Sequence, residues 1–451
     1  MAIIVDMTAA VRFGGASVGD WRSAVRRVPG WAATTPGRLQ LIRAGLVVLA
    51  VLTGLLGALA AGAANRGTRQ VAGATEPLLV NAETIYTSLA DADATAAQAF
   101  LTGGLPPPAQ TARYRDDVDL AGGQLALAAA RVGDSGAAAD AVHTLATQLP
   151  VYTGLVEAAR ANNRQGFPVG AAYLAEASQL SRTQLLPAAQ RLFIEEQGGM
   201  ASGYRTARAS GWLLMAGLSL LVLFAALVLV QWSLYQRTHR VFNPPLVAAA
   251  VLTAVLAGVL GGVFAVQHGR LSQARSQGSD PVGVLARARI AALQERADEA
   301  LTLVGRGNGA AYETDFQAVH KTLVGAPGTA GLLPTALAQA TGAEQQQRVR
   351  DAQAAATTYA TVHRQIRALD DSGQYLKAVE LATSGGQAAA AFARLDGTLV
   401  RAVDAGQDRF STLAGQAGSG LGLLVWFAPT VAVAAGVLAA LGLRARLQEY
   451  R

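Results

Sequence analysis

The sequence contains no cysteine, which excludes both a disulfide framework and a thiolate metal site. Histidine is scarce, and its residues are scattered without the spacing of metal ligands, so a solvated or interfacial side chain is favoured over a ligand for each. They are His143, His239, His268, His320 and His363. The P-loop, His-Glu-x-x-His and Gly-x-Ser-x-Gly signatures of catalytic sites are also missing. We therefore predict a protein that is not an enzyme and that uses no cofactor and no metal.

Charged residues are also few, at 15% of a chain that is 51% hydrophobic. This composition is too apolar for an ordinary soluble enzyme and too polar for a transporter that lies wholly in the membrane. Four long apolar runs contain no Asp, Glu, Lys, Arg or His. Ionisable groups at membrane depth mark ion pathways, so their absence counts against a secondary transporter. A membrane protein with sizeable water-exposed domains fits best.

Two of the apolar runs form a hairpin at the centre of the chain. The run 212–232 has 21 residues and rises about 30 Å as a helix, one hydrocarbon thickness. Trp212 marks one end, and Trp232 and Tyr235 mark the other, as interfacial aromatic rings do. A short basic turn and a second run, 246–266, follow. The first run of the chain ends in a small-residue sequence that resembles a signal-peptidase site, so cleavage there is the alternative to a retained first span.

The two polar regions between the runs have the periodicity of helices that pack lengthwise. The series are Leu78, Ala82, Ile85, Leu89, Ala92, Ala96 and Ala99 in the first region, and Ala286, Ile290, Leu293, Ala297, Ala300 and Val304 in the second. Turn-forming corners separate the helices within each region. Asp91 and Asp93 point to different faces of their helix, and we interpret both as water-exposed surface. Each region is thus predicted to be a four-helix bundle.

Weak matches between the two halves occur in the same order along the chain. Ile85 and Ala92-Asp93 correspond to Ile290 and Ala297-Asp298, and Tyr173-Leu174 corresponds to Tyr375-Leu376. We predict an all-α membrane protein with four transmembrane helices and two extracytoplasmic four-helix bundles, built as a tandem repeat of span, bundle and span. Convergence on helical composition is the alternative.

The predicted segments are a cytoplasmic basic leader (1–43), transmembrane helix 1 (44–64), bundle 1 (65–208), transmembrane helix 2 (209–235), a cytoplasmic turn (236–243), transmembrane helix 3 (244–267), bundle 2 (268–419), transmembrane helix 4 (420–443) and a cytoplasmic tail (444–451). Leader, turn and tail hold eleven basic residues against three acidic ones, whereas the two bundles are almost neutral. By the positive-inside rule, both termini lie in the cytoplasm and both bundles lie outside the plasma membrane. The basic segments face anionic lipid, and no basic stripe suited to nucleic acid is visible.

Small residues at four-residue spacing occur within three spans. The ladders are Thr53, Gly57 and Ala61; Gly258 and Gly262; and Ala432, Gly436 and Ala440. Such ladders allow close helix approach, although lipid-compatible filler is an equal alternative. Pro429 inside the last span predicts a kink.

The cytoplasmic segments total only about 60 residues, too few for a signalling domain. Any effector must therefore be a separate cytoplasmic protein. Exposed arginines are the candidate contacts for it, and their alternative role is to determine topology. They are Arg22, Arg26, Arg27, Arg237, Arg240, Arg444 and Arg446.

Each half, with two spans that bracket a bundle, resembles the four-helix-bundle sensor module of chemoreceptors and sensor kinases. A further motif consists of Asn163, Gly166, Pro168, Tyr173 and Leu174, with Leu185-Leu186-Pro187 beyond them. With this motif, the chain from Ala44 to its end resembles actinobacterial GlnX-like four-span membrane proteins. The resemblance implies a relay that passes amino-acid availability from a solute-binding lipoprotein outside to a soluble Ser/Thr protein kinase inside. The second half retains only Tyr375-Leu376, so an equal role for both bundles does not follow.

These observations lead to the hypothesis of a non-enzymatic transmembrane signal relay. Because two modules are fused, one chain could supply the four-span assembly that a homodimer of single modules provides. The alternatives are an accessory or scaffold subunit of an envelope transport complex, and direct sensing of a small molecule by the bundles.

Overall fold

The computed structural model describes residues 35–70, 76–102, 104–133, 135–208, 211–238, 243–383 and 385–448, and every regular element in these ranges is helical. In chain order the helices are α1 (Thr35–Gln70), α2 (Glu76–Leu101), α3 (Pro108–Ala129), α4 (Ala137–Arg164), α5 (Val169–Leu180), a π-helical turn (Ser181–Leu185), α6 (Leu186–Arg208), α7 (Gly211–Thr238), α8 (Pro244–Ala274), a second π-helical turn (Arg275–Ser279), α9 (Asp280–Val304), α10 (Ala310–Val324), α11 (Leu332–Gln339), α12 (Ala343–Asp371), α13 (Tyr375–Ala382), α14 (Gln387–Ala417) and α15 (Leu421–Gln448).

Within the described residues, four helical segments are long and apolar enough to cross a membrane, and they contain α1, α7, α8 and α15. The prediction of an all-α membrane protein is therefore confirmed. The end of the predicted leader (1–43) is part of the first helix, since α1 already begins at Thr35. An α-helix is held together by hydrogen bonds along its backbone, so the helix of a span can continue past the apolar stretch.

The chain divides into two compact units, and the first consists of the described residues within 1–60, 211–260 and 424–451. Its core is formed by leucine and alanine side chains from four helices. They are Leu46, Ala50, Leu223, Leu227, Leu246, Ala249, Ala435, Ala439 and Leu443. A hydrogen bond from Asn243 Nδ2 to the Gly442 carbonyl, 2.9 Å long, satisfies a buried amide where α8 begins.

Close contact between α1 and α15 depends on glycine. A Cβ atom added to Gly54 would lie 2.9 Å from the Pro429 Cα, and one added to Gly436 would lie 3.0 Å from the Ala50 Cβ. A Cβ atom added to Gly57 would likewise lie 3.0 Å from the Ala428 Cβ. In contrast, a Cβ atom on Gly258 would have no neighbour within 4 Å among the described residues. The first and third ladders thus include positions of close approach, whereas the GxxxG of α8 does not mediate one here.

The second unit consists of the described residues within 61–210 and 261–423, so it includes both polar regions. Helices α2 and α9 pack against each other at its centre. On one side α2 contacts α3 and α6, and on the other α9 contacts α10 and α14. The buried apolar side chains form one cluster that runs through both polar regions. Most members of the two predicted periodic series belong to this cluster; examples are Ile85, Leu89, Ile290 and Leu293.

Replacement of Gly54 by leucine is expected to separate α1 from α15. The added side chain has no space beside Pro429, and such overpacking costs about 1–3 kcal/mol of unfolding free energy. The thermal unfolding midpoint of the purified full chain in detergent measures the effect. Gly258→Leu is the matched control, because its site has room. Equal midpoints for the two variants would contradict the close packing of α1 and α15.

Candidate functional site

The most unusual feature of the second unit is charge in its interior. Asp91 and Asp93 on α2 are only 6% and 3% exposed, so the prediction of a water-exposed surface for them is wrong. The two side chains do point to different faces of the helix. However, α2 is surrounded by α3, α6 and α9, and with α4 and α5 these neighbours cover both faces. Buried carboxylates require charged or hydrogen-bonding partners, and the structure supplies them from several helices.

The partners of Asp91 form a network that joins the two polar regions. Arg113 on α3 donates from Nε and Nη2 to Asp91 Oδ2, at 3.2 and 2.7 Å. Arg289 on α9 donates from Nε to Asp396 Oδ1 on α14, at 2.7 Å. Each arginine also approaches the other aspartate: Arg113 Nη2 is 3.5 Å from Asp396 Oδ2, and Arg289 Nη2 is 3.9 Å from Asp91 Oδ2. We call these four residues the Asp91 network.

A neighbouring carboxyl shows how costly unpaired charge is in this region. Burial and the negative charge of Asp91 raise the pKa of Asp117 to about 7, although Arg113 and Arg289 oppose the shift. Asp117 therefore titrates near neutral pH. Asp91, in contrast, is paired directly with a guanidinium, from which it accepts two hydrogen bonds.

A second cluster surrounds Arg182. This arginine lies in the π-helical turn after α5 and forms an ion pair with Asp298 on α9. Asp93 lies near the same guanidinium, and it accepts hydrogen bonds from Ser178 Oγ at 2.8 Å and from the Tyr152 hydroxyl at 3.5 Å. Burial raises the pKa of Asp93, and it raises that of Asp298 to about 7 against the charge of Arg182. Arg182, a cation from the first polar region, thus lies near Asp93 of the same region and Asp298 of the second.

A third cluster lies within the second polar region around His363 on α12, which is 1% exposed. His363 Nδ1 is 3.1 Å from Glu299 Oε2, and Nε2 is 3.0 Å from Glu313 Oε2. The ring stacks on Phe316 with centroids 3.5 Å apart. Burial alone lowers the pKa of His363, but the hydrogen bonds and charges of the two glutamates outweigh it and raise the pKa to about 9. Only the imidazolium form can donate to both carboxylates at once. The prediction of a solvated or interfacial His363 is therefore wrong.

A cavity of about 140 Å³ lies beside the Asp91 network. Helices α2, α3, α9 and α14 all contribute to its walls, so it too is shared by the two polar regions. Its polar lining includes Asp91, Gln98, Gln110, Arg113 and Arg296. The cavity thus lies directly against part of the Asp91 network.

Three of the seven arginines predicted to contact a cytoplasmic partner lie in described helices. Arg22, Arg26, Arg27 and Arg240 lie outside the described residues. Arg237 lies near the end of α7, and Arg444 and Arg446 lie near the end of α15, where Arg444 is exposed. Their contact with a cytoplasmic partner stays a prediction.

The predicted extracytoplasmic motif surrounds the corner between α4 and α5. Asn163 Nδ2 donates to the Phe100 carbonyl at 3.0 Å and so ties this corner to the end of α2. Gly166 has a φ of 74°, a left-handed conformation that glycine adopts readily, and Pro168 is the residue before α5. Leu174 is buried, whereas Tyr173 only packs against the core from its edge. Beside them Phe167 is 53% exposed.

Sequence reasoning missed Arg113, Arg182 and Arg289 as functional candidates. Each pairs with a carboxylate that is distant in the chain, and no spacing reveals such a partner. One signal was present, namely the repeated Ala-Asp pair at Asp93 and Asp298. Both of these aspartates lie near Arg182.

Comparison with known proteins identifies one region of the chain. Residues 67–205 match the family model of the actinobacterial sensor domain. No curated protein and no solved structure matches the chain. The matched region includes α2 to α5 and most of α6, and therefore Asp91, Asp93, Arg113 and Arg182. The match supports a sensing or signalling role for a multi-pass membrane protein.

Replacement of His363 by glutamine is expected to destabilise the protein in a pH-dependent manner. A pKa raised from 6.5 to about 9 contributes on the order of 3 kcal/mol to folding. Because the folded-state pKa is the higher one, this contribution is complete below about pH 6.5 and is lost as the pH rises through 9.

The unfolding midpoint of the full chain in detergent, measured between pH 6 and pH 10, tests this expectation. The difference between wild type and His363→Gln should shrink towards the alkaline end. His143→Gln is the control, because His143 is exposed on α4. A difference that stays constant with pH would show that His363 is neutral in the folded protein.

Proposed function

We propose that this protein is a non-enzymatic transmembrane relay that passes an extracellular nutrient signal to a separate cytoplasmic effector. The main support is the sensor-domain match at 67–205 in a chain with four candidate spans. The GlnX-like resemblance suggests amino-acid availability as the signal, a solute-binding lipoprotein as its source and a soluble Ser/Thr protein kinase as the effector.

The packing of the second unit supports a relay within a single chain. Signalling needs an element with two packings whose balance a ligand or partner can shift. In the second unit α2 and α9 pack together, and the Asp91 network and Arg182 bridge the two polar regions. In our proposal the two regions act as a pseudo-dimer, and binding outside changes how one packs on the other.

The corner between α4 and α5 is the surface that we propose for the lipoprotein. Phe167 and Val169 are exposed there by 53% and 48%, and Leu105, in the corner after α2, is 81% exposed. The Asn163 hydrogen bond to Phe100 holds the two corners together. Exposed apolar groups that are grouped in this way are typical of interaction sites.

Photo-cross-linking tests the proposed partners directly. A photoreactive amino acid at Phe167 is expected to capture a solute-binding lipoprotein in intact cells, and one at Arg444 is expected to capture a soluble protein kinase. Leu120, exposed by 46% on α3, is the control position and should capture neither. Mass spectrometry identifies the captured proteins. Permease or ATPase subunits at Phe167, without a signalling enzyme at Arg444, would instead favour the transport scaffold, and links between two copies of the chain would contradict the pseudo-dimer.

The proposed topology can be tested on the natural background, because the chain has no cysteine. Single variants Leu105→Cys and Leu376→Cys place a thiol at positions that are each 81% exposed. A membrane-impermeant maleimide should label both in intact cells. Arg444→Cys should be labelled only after the membrane is permeabilised. Labelling of Arg444→Cys in intact cells would place the end of α15 outside and overturn the topology.

A further inference from the structure

The cavity beside the Asp91 network has polar groups that the protein leaves without partners. Gln98 is 5% exposed, yet neither its Nε2 nor its Oε1 forms a hydrogen bond with any described residue. Gln110 Oε1 is likewise buried and without a partner. A buried amide without hydrogen bonds destabilises a protein, so such groups require an explanation. Both side chains line the same cavity.

The charges around these amides point to a particular ligand chemistry. Arg113 and Arg296 line the cavity, and Asp91 is its only charged counterpart among the lining residues. Arg296 is already engaged with Glu299 and with the Ala382 carbonyl. Arg113 uses Nε and Nη2 for Asp91, and its side chain is 47% exposed. Its Nη1 forms no hydrogen bond with a described residue, so a guanidinium donor remains for a carboxylate.

The amide oxygens of Gln98 and Gln110 require a hydrogen-bond donor rather than a carboxylate. Each is an acceptor, and an N–H donor on the ligand would satisfy it. A molecule with a carboxylate and an ammonium or amide group would therefore pair with Arg113 and with the amide oxygens of both glutamines. Size sets a further limit, since an apolar cavity of about 150 Å³ holds a molecule as large as benzene. The cavity of about 140 Å³ thus suits a compact solute.

We propose that this cavity binds a small zwitterionic solute, with its carboxylate on Arg113 and its N–H donors on the amide oxygens of Gln98 and Gln110. This binding site presupposes the relay function proposed above, to which it adds a directly bound ligand. Binding here affects the packing of the two polar regions, since α2 and α3 come from the first and α9 and α14 from the second. Arg113 and Asp91 belong both to the cavity and to the ion network between the regions.

Titration calorimetry on the purified full chain in nanodiscs tests the proposal. L-serine is the zwitterionic probe, and butyrate is a carboxylate of similar size that lacks an N–H donor. Titration to about 10 mM exceeds the roughly millimolar Kd expected for so small a molecule. L-serine is expected to bind, and butyrate is expected to bind at least tenfold more weakly.

Variants locate the binding site. Gln98→Leu removes the buried amide with little change in volume, and Gln110→Leu does so at a more exposed position. Each is expected to weaken L-serine binding at least tenfold. Gln124→Leu is the matched control, because Gln124 also has a buried amide oxygen without a partner and lies on α3 outside the cavity lining. It should leave the affinity unchanged.

Three results would overturn the proposal: no binding of L-serine, equal binding of butyrate, or an affinity that is unaffected by Gln98→Leu and Gln110→Leu. Such a result would leave the relay itself intact if cross-linking still captured a lipoprotein and a kinase. Failure of both experiments would instead count against a signalling role.

Discussion

The structure of the second unit depends on the neutralisation of buried carboxylates across the two polar regions. Asp93 and Asp298 lie on the two central helices, and Arg182 from the turn after α5 serves both. Asp91 and Asp396 share Arg113 and Arg289 in the same way. For a pair as buried as Arg182 and Asp298, removal of one partner typically costs about 3–5 kcal/mol, because the remaining charge has neither water nor a counter-charge. The cost is smaller for the pairs of Arg113, whose side chain is 47% exposed. Separation of the two regions would therefore leave these charged groups exposed or without their partners.

This constraint explains why the unit is suited to signalling as well as to stability. Apolar side chains would fill the same space at lower cost, and buried ion pairs often contribute little net stability. The ion pairs do, however, define how the two polar regions align, because each carboxylate has only a few cations within reach. Arg113 and Arg289 are within 4 Å of both Asp91 and Asp396, so a small shift of α3 against α14 can change which pair is tighter. A ligand that contacts Arg113 would bias that choice only through unequal contacts with the two arrangements.

The sequence predicted the all-α fold and the four candidate spans because both depend on local properties. Hydropathy identified the spans, periodic small and apolar residues identified α2 and α9, and glycine-rich corners marked the helix ends. Burial of charge is not a local property. Asp91 and Asp93 were assigned to solvent because they point to different faces of one helix, but neighbouring helices, among them α3 and α9, cover both faces. His363 was misjudged for the same reason, since Glu299 and Glu313 are distant in the chain.

The glycine ladders show the same limit in the first unit. Gly57 and Gly436 lie in close helix contacts, whereas Gly258 has open space, although all three had similar spacing in the sequence. Spacing defines a face on which close approach is possible, and the neighbouring helix decides whether it occurs. The buried polar groups of the second unit follow the same principle. A charged or amide side chain on a helical face lines a cavity only when other helices enclose it. Around Gln98, α3 and α14 supply such walls.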